Sequence, residues 1–533
     1  MSRRYSYTNG HDSPDRESFE WRSSFDLSIE DPESRVLFSP GYSRDRHVSF
    51  FDKLRSFLHR RGLYVSYISS LRSRSTNRRG AKKGSCQLPR PRRSCFLFQA
   101  LLIILILLAT FIAIVRPSYS SPPARYHQLR LRAQTSSEAG RANPGKEKVF
   151  IAASIFDPNG DLARGAWGKS LLGLVDLLGP SNVFLSIYEN SAGSVAKAAL
   201  NEFEEKTTCE HAIVFEDQLH PAALPHIQLP DGTSRVKRIA YLAEVRNRAL
   251  LPLDSSAIKY DKLLYLNDVM FDPVNAAQLL FATNAGYGEA EYRAACSLDF
   301  INPFKFYDTF ASRDLEGYSM GLPIYPWFSS AGKAQSRQDV YDQTDAVRVR
   351  SCWGGMVAFD AKYFQSTADD FDGLNAAGSL PGGNFTGFRF RAEQDVFWES
   401  AECCLIHADI QNPESDNTGI YMNPYVRVAY DTTTLSWLGL SRRIERLFPP
   451  FQYLINIVAG LPLYNPRRAE QAWQEVQEQV WSPDASLPAG GSFKVMDRIA
   501  THDGFCGTKT LQVLKIDPQP REKNWESIPA PNP

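Results

Sequence analysis

The residues best suited to chemistry collect where apolar runs end. The run DKLLYLND (261–268) is apolar up to Leu266 and then delivers Asn267 and Asp268 side by side. A carboxylate and an amide at the mouth of a buried strand offer hard oxygen ligands, the donor set that suits a divalent ion carrying phosphates. The same Asn-Asp pair is also ordinary turn chemistry. A second apolar run, NVFLSIYEN (182–190), ends in Tyr188-Glu189-Asn190-Ser191. In VKRIAYLAEVRNRALLPL (236–253), Arg246, Asn247 and Arg248 follow an apolar face of Ile239, Leu242 and Val245. A guanidinium there has the fork geometry to clamp a diphosphate. There is no P-loop, and no Gly-x-Gly-x-x-Gly follows the first strand, so ATPase and dinucleotide-dehydrogenase readings lose support.

The elements that must position these residues alternate. VFIAAS (149–154), NVFLSIYEN, HAIVFE (211–216), DKLLYLND and YRAACSLDF (292–300) read as strands. WGKSLLGLVDLLG (167–179), SVAKAALNEFEEK (194–206), the 236–253 segment and PVNAAQLLFAT (273–283) read as helices between them. Apolar strands spaced by amphipathic helices predict βαβ units and a mostly parallel sheet covered on both faces. Ligands in such sheets bind beyond the C-terminal strand ends, where Glu189, Asn267 and Asp268 fall.

The 533 residues exceed what one core organises, so a catalytic-size domain with extensions is expected. Cys95 to Val115, CFLFQALLIILILLATFIAIV, carries no charge and only Gln99 and Thr110 as polar interruptions. As a helix it spans about 31 Å, which matches a hydrocarbon core of about 30 Å. From Lys53 to Arg132 there are 17 Lys and Arg and no Asp or Glu, crowded before the apolar run. By the positive-inside rule the N-terminus is cytosolic and everything after Pro117 is luminal, a single-pass type II arrangement. Residues 133–533 carry 36 basic against 49 acidic residues, a net charge of −13, which argues against nucleic acid as a partner. The boundaries read as a disordered basic cytosolic tail (1–94), a transmembrane signal anchor (95–115), a Pro- and Ser-rich luminal stem (116–146), a large α/β domain (147–435) and a C-terminal extension packing on it (436–533).

Of eight cysteines, Cys86 and Cys95 lie at the cytosolic membrane edge. Cys209, Cys296, Cys352, Cys403, Cys404 and Cys506 fall in the oxidising lumen, where the spacing leaves their pairing open. A glycosylation triplet stands at Asn384-Phe385-Thr386. LSWLGLSRRIERLFPPFQYLINIVAGLPLYNP (435–466) is apolar, but Pro449-Pro450 breaks it. It packs on the domain or lies along the membrane surface, packing being the favoured reading. DGFCGTKTLQVLK (503–515) looks like a closing strand that Cys506 could bridge to the domain.

Several stretches resemble the cryptococcal-type α-1,3-mannosyltransferase family of fungi, glycosyltransferase family 69, which includes capsule-associated proteins. They are YENSAG (188–193), RIAYLAEVRNRALLPL (238–253), DKLLYLNDVMF (261–271), AACSLDF (294–300), YDTFASRDLEG (307–317), VRSCWGGMVAFDA (349–361) and RAEQDVFWESAECCLIHADI (391–410). The resemblance implies an α/β domain of GT-A type in the Golgi membrane. It further implies transfer of mannose from GDP-mannose to a mannose-containing glycan or glycolipid, in α linkage, α-1,3 in this family, with retention of configuration. Mn²⁺ or Mg²⁺ is the implied cofactor.

Set against that family, Asp268 stands where GT-A transferases place a metal-binding Asp-x-Asp, but Leu266-Asn267-Asp268 has one carboxylate. His407, on the strand-like CCLIHAD, is a candidate further ligand with Asp409, or else a core histidine. Cys352-Trp353-Gly354-Gly355 reads as a loop entering a strand. Gly354 and Gly355 would allow close backbone approach to a sugar, and Trp353 would stack on a pyranose. Glu393 and Asp395, before FWESAEC read as a helix, are the candidate catalytic carboxylates, placed near the acceptor hydroxyl or the reacting carbon. The donor would then be held by Glu189, Arg246, Asn247, Asn267, Trp353, Gly354 and Gly355, and the metal by Asp268 and His407. The missing second carboxylate supports an alternative, a non-catalytic glycan-binding or polysaccharide-export factor.

Overall fold

The computed structural model describes residues 92–531 apart from 191–192, 216–223, 230, 287, 366–386, 413–415, 485, 488–489 and 517–522, with side chains from residue 99 onward. The tail up to residue 91, Cys86, Ser191 and the triplet at 384–386 lie outside the described residues.

One mixed sheet organises the domain. Its strands run in the order Glu210–Phe215, Val183–Glu189, Val149–Ile155, Lys262–Leu266, Met356–Asp360, Ala294–Asn302, Ile420–Ala429, Val347–Ser351 and Arg313–Asp314. The first four are parallel. Met356–Asp360 is inserted antiparallel to both of its neighbours. Ile420–Ala429 pairs parallel with Ala294–Asn302, and Val347–Ser351 closes antiparallel against it. The fold is thus α/β with a mostly parallel central sheet, as the alternation predicts. All seven residues of Val149–Ile155 are buried because both faces are covered. Phe150 and Ala152 enter one core with Ile239, Leu242 and Val245, while Ile151 and Ala153 enter the other with Leu171, Leu174, Leu200 and Leu279. A strand's side-chain period of 2 feeding two helical layers explains why this run is apolar throughout.

Four features depart from the sequence-based expectations. CCLIHAD is not a strand but the helix Glu402–Ile410, and all nine of its residues are buried. A helix enclosed on every side loses the 3.6 period that would identify it. The segment after Glu393 is a loop, with no helix before Glu402. The stem carries the helix Ala124–Thr135, which buries Tyr126, Leu129 and Ala133. Tyr126 OH lies 3.0 Å from Asp345 Oδ2 and accepts from Asn423 Nδ2 at 2.7 Å, so this segment is part of the domain surface and not a loose tether. Finally, the apolar run belongs to the helix Arg92–Val115, yet among the described residues no helix is long and apolar enough to cross a membrane. Its described side chains from 99 to 115 cover about 25 Å at the usual helical rise.

Two disulfides join distant segments: Cys296–Cys352 and Cys404–Cys506. Cys209 and Cys403 are free and buried. The second bridge ties the C-terminal segment to the domain, and Leu511–Leu514 forms a two-stranded sheet with Trp525–Ile528.

Candidate active site

The strand Lys262–Leu266 ends at a residue pinned from four sides. Asn267 donates its backbone N–H to Gly355 O at 2.9 Å, and its carbonyl accepts from Trp167 Nε1 at 2.9 Å. Its side-chain oxygen accepts from Arg246 Nη1 and Trp353 Nε1, each at 3.3 Å. Asn267 is 2% exposed and Asp268 half-buried, so the turn that ends the buried strand encloses the amide more fully than the acid beside it. Asn267 therefore braces the mouth from beneath, and Asp268 is the less buried member of the pair.

Arg246 does not reach the mouth. It is fully buried, its Nε 2.9 Å from Glu402 Oε1 and its guanidinium carbon 4.0 Å from the centre of the Trp353 ring. Tyr265 and Phe390 complete the aromatic cage. The helix Arg238–Arg248 turns Arg246 inward on the same face as Leu242, since residues four apart share a face. The expectation that Arg246 clamps a diphosphate is corrected: its charge is spent on Glu402. Asn247 is corrected likewise, because its amide makes a reciprocal pair of 2.9 Å bonds with the backbone of Phe390 and so fastens that loop. Trp353 is 2% exposed, a core side chain under Arg246 and not a platform for a sugar.

Gly354 and Gly355 sit at φ +61° and +69°, and both are buried. A Cβ on Gly354 would lie 1.9 Å from Ser297 O, and one on Gly355 2.6 Å from Val269 Cγ1. The close approach that the paired glycines permit is therefore to Ser297 on a neighbouring strand and to Val269 in the turn after Lys262–Leu266, and not to a ligand. Gly354 N donates to Asp308 Oδ2 at 3.1 Å, and Ser297 Oγ donates to Gly354 O at 2.5 Å. Asp308 N in turn donates to Asp299 Oδ1 at 3.1 Å, and Tyr430 OH to Asp299 Oδ2 at 2.8 Å. Burial pushes both carboxyls upward, that of Asp299 further through the charge of Asp308.

Glu189, at the end of its strand, is sealed, and its Oε1 accepts from Asp157 N at 3.1 Å. Asp157 Oδ2 accepts from the backbone N–H groups of Leu162 and Ala163 at 2.9 and 3.0 Å, which starts the short helix Asp161–Arg164. Glu189 thus holds the loop after the first strand, which corrects its assignment as a direct donor contact.

Glu393 and Asp395 lie on a loop whose two carbonyls accept from Lys237 Nζ at 2.8 and 2.9 Å. Glu393 Oε1 accepts from Ser400 Oγ at 2.7 Å, and burial, together with the charge of Asp503, pushes its carboxyl up to about 7. Asp395 pairs with Arg467 at 2.8 Å. Lys237 also bridges to the sealed Glu399 at 2.6 Å.

His407 is enclosed, its Nδ1 2.6 Å from Cys403 O and its Nε2 3.9 Å from Cys296 Sγ. Burial pushes its imidazole down to about 4, so the ring is neutral. With Cys296 and Cys352 it forms the group of three potential donors that comes together among the described residues. Those two sulfurs are bonded to each other, so they supply no thiolate ligands, and His407 is a core histidine and not a metal partner of Asp268. Asp409, its companion, is paired with Arg391 at 2.7 Å and with His502 at 3.2 Å.

Residues 148–409 match the family model described as Cryptococcal mannosyltransferase 1. Over this stretch the chain belongs to that family. Every residue of the strand-end network lies inside the matched stretch except Tyr430. No curated protein matches the chain in sequence. Among solved structures, a mannosyltransferase, PcManGT, from Pyrobaculum calidifontis in complex with GDP-Man and Mn²⁺ is similar at 10% identity and TM-score 0.29, over 68% of this chain and 75% of that one. Mannosyl-3-phosphoglycerate synthase from Rubrobacter xylanophilus is similar at 11% identity and TM-score 0.27, over 71% and 96%. Within the family stretch, Asp299, Asp308 and Glu402 escape the sequence reading. Their signal is an acid in an apolar setting, as in AACSLDF, where an unpaired charge would be costly to bury.

Proposed function

We propose that this member of the mannosyltransferase family transfers mannose from GDP-mannose to a mannose-containing glycan or glycolipid, in α-1,3 linkage with retention. We further propose that it does so in the Golgi as a single-pass type II membrane protein anchored by the apolar run 95–115. The observation that carries the reading is Asp268, half-buried at the end of a buried strand inside the family stretch. A lone carboxylate suits Mn²⁺ or Mg²⁺, which is commonly bound through one or two carboxylates with substrate phosphates and water completing its shell. Bound there, such an ion supplies neutralisation of the departing diphosphate. Asn267 keeps Asp268 at the strand mouth, and the Arg246–Glu402 pair keeps Asn267 in place. Glu393, held near neutrality, is the proposed group facing the acceptor hydroxyl. Asp395, through Arg467, holds the loop that carries it. An α-linked donor giving an α-linked product needs no inverting base, so Glu393 positions and need not deprotonate.

The test uses the full chain in detergent with GDP-mannose, Mn²⁺ and a panel of α-mannosides, following GDP release and product mass together. A product one hexose heavier is expected, with Asp268→Ala lowering turnover by about 100-fold or more while the protein stays folded. The second reading, a glycan-binding or export factor, is favoured by the single carboxylate. It gains if the folded chain binds mannosides but neither transfers nor binds any nucleotide sugar.

A further inference from the structure

The helix Pro449–Ala459, PPFQYLINIVA, is packed inside out. Its buried residues are the polar ones, Gln452 and Asn456. Gln452 Nε2 donates to Leu322 O at 3.2 Å, its Oε1 accepts from Arg337 Nη1 at 2.5 Å, and Asn456 Oδ1 accepts from Leu322 N at 2.7 Å. Phe451, Tyr453, Leu454 and Ile457 point outward and are 46–62% exposed. A surface helix in water does the opposite, because each apolar side chain left exposed forgoes the free energy gained by leaving water. The preceding helix, Thr432–Ser441, adds Trp437 and Leu440, both more than half exposed.

This face is joined to the apolar N-terminal helix. The turn Arg442–Leu447 packs against the end of Arg92–Val115: Arg443 Nη1 donates to Ala113 O at 3.2 Å, and Ser118 N donates to Arg442 O at 3.2 Å. The N-terminal helix exposes Leu107, Phe111 and Ile114 by 60–70%. Arg116 and the half-buried or exposed Arg442, Arg443 and Arg446 stand at the junction. An apolar aromatic-bearing face bordered by arginines, beside an apolar helix, has the composition of a membrane interface, where Trp and Tyr sit at headgroup level and Arg attracts anionic lipid.

We propose that the face formed by Trp437, Leu440, Phe451, Tyr453, Leu454 and Ile457 lies in the headgroup region of a lipid bilayer, laying the domain against the membrane beyond its single anchor. The proposal rests on the membrane-anchor reading, and its test separates the two. The full chain, with Cys86 and Cys95 replaced by Ser, is reconstituted into vesicles of phosphatidylcholine and phosphatidylserine with brominated acyl chains. A polarity-sensitive dye is attached at Ile457→Cys, at Leu107→Cys in the apolar helix, or at Asn201→Cys on an exposed helix of the domain. Loss of most of the emission at 457 and 107, with none at 201, is the expected result. Quenching at 107 but not at 457 overturns the docking and keeps the anchor. No quenching at either position overturns both. A blue-shifted but unquenched label at 457 in a chain that cross-links as a dimer means that a second copy covers the face, and the proposal fails.

Discussion

Arg246 and Glu402 stand 156 residues apart in the chain and meet at 2.9 Å with neither side chain more than 1% exposed. The pair sits beneath Asn267, so it couples the helix Arg238–Arg248, the helix Glu402–Ile410 and the strand mouth in one contact. Removing one partner strands a charge in the core. Glu402→Leu alone is expected to cost about 3–5 kcal/mol, and the double change Glu402→Leu with Arg246→Met to recover most of it. Denaturant unfolding of the single and double variants measures this; equal losses would show that packing, and not charge pairing, dominates there.

Gly354 admits no side chain. At φ +61°, and with Ser297 O 1.9 Å from the place of a Cβ, Gly354→Ala forces the turn away from the neighbouring strand and from Asp308. A loss of about 3 kcal/mol or more is expected, against less than about 0.5 kcal/mol for Gly286→Ala, which has open space around it. Thermal melts of the two variants side by side decide it.

The Cys404–Cys506 bridge closes a separation of 102 residues. Chain entropy assigns about 4.7 kcal/mol to a loop of roughly 100 residues, and removal of native bridges generally costs 2–5 kcal/mol. Cys404→Ser with Cys506→Ser should therefore lower the unfolding midpoint and raise protease sensitivity within 436–531 first. Unchanged proteolysis there would show that Leu511, Val513 and the Arg313 contacts to Phe505 O and Cys506 O suffice.

The Asp299 carboxyl is pushed up by burial and by Asp308, so the folded state keeps a proton that the unfolded chain releases. Its contribution to stability is fully present below the ordinary carboxylate range and is lost as pH rises toward neutrality. Lowering the pH from 7.5 to 5.5 should raise the melting temperature of the natural protein relative to Asp299→Asn, by about 2 °C or more. Parallel pH dependences of the two proteins would refute the assignment.

Much of the architecture was legible in the chain because it is set locally. VFIAAS, NVFLSIYEN and DKLLYLND carry their strand character in their own apolar runs, and the helices between them in a 3.6 period. Asn267-Asp268 could be placed at a strand mouth on those grounds alone. The family segments likewise pointed to mannosyl transfer, a property of short residue patterns. What the sequence could not determine is which side chains point inward. Arg246, Trp353 and Glu189 read as ligand contacts because they are polar or aromatic near a strand end. Each became core once a partner arrived from far along the chain: Glu402 for Arg246, Asn267 for Trp353, Asp157 for Glu189. The antiparallel insertion of Met356–Asp360, the pairing of the cysteines and the inverted burial of Gln452 and Asn456 are also long-range. They depend on which segments the packed core brings together, and periodicity within a dozen residues carries no record of that.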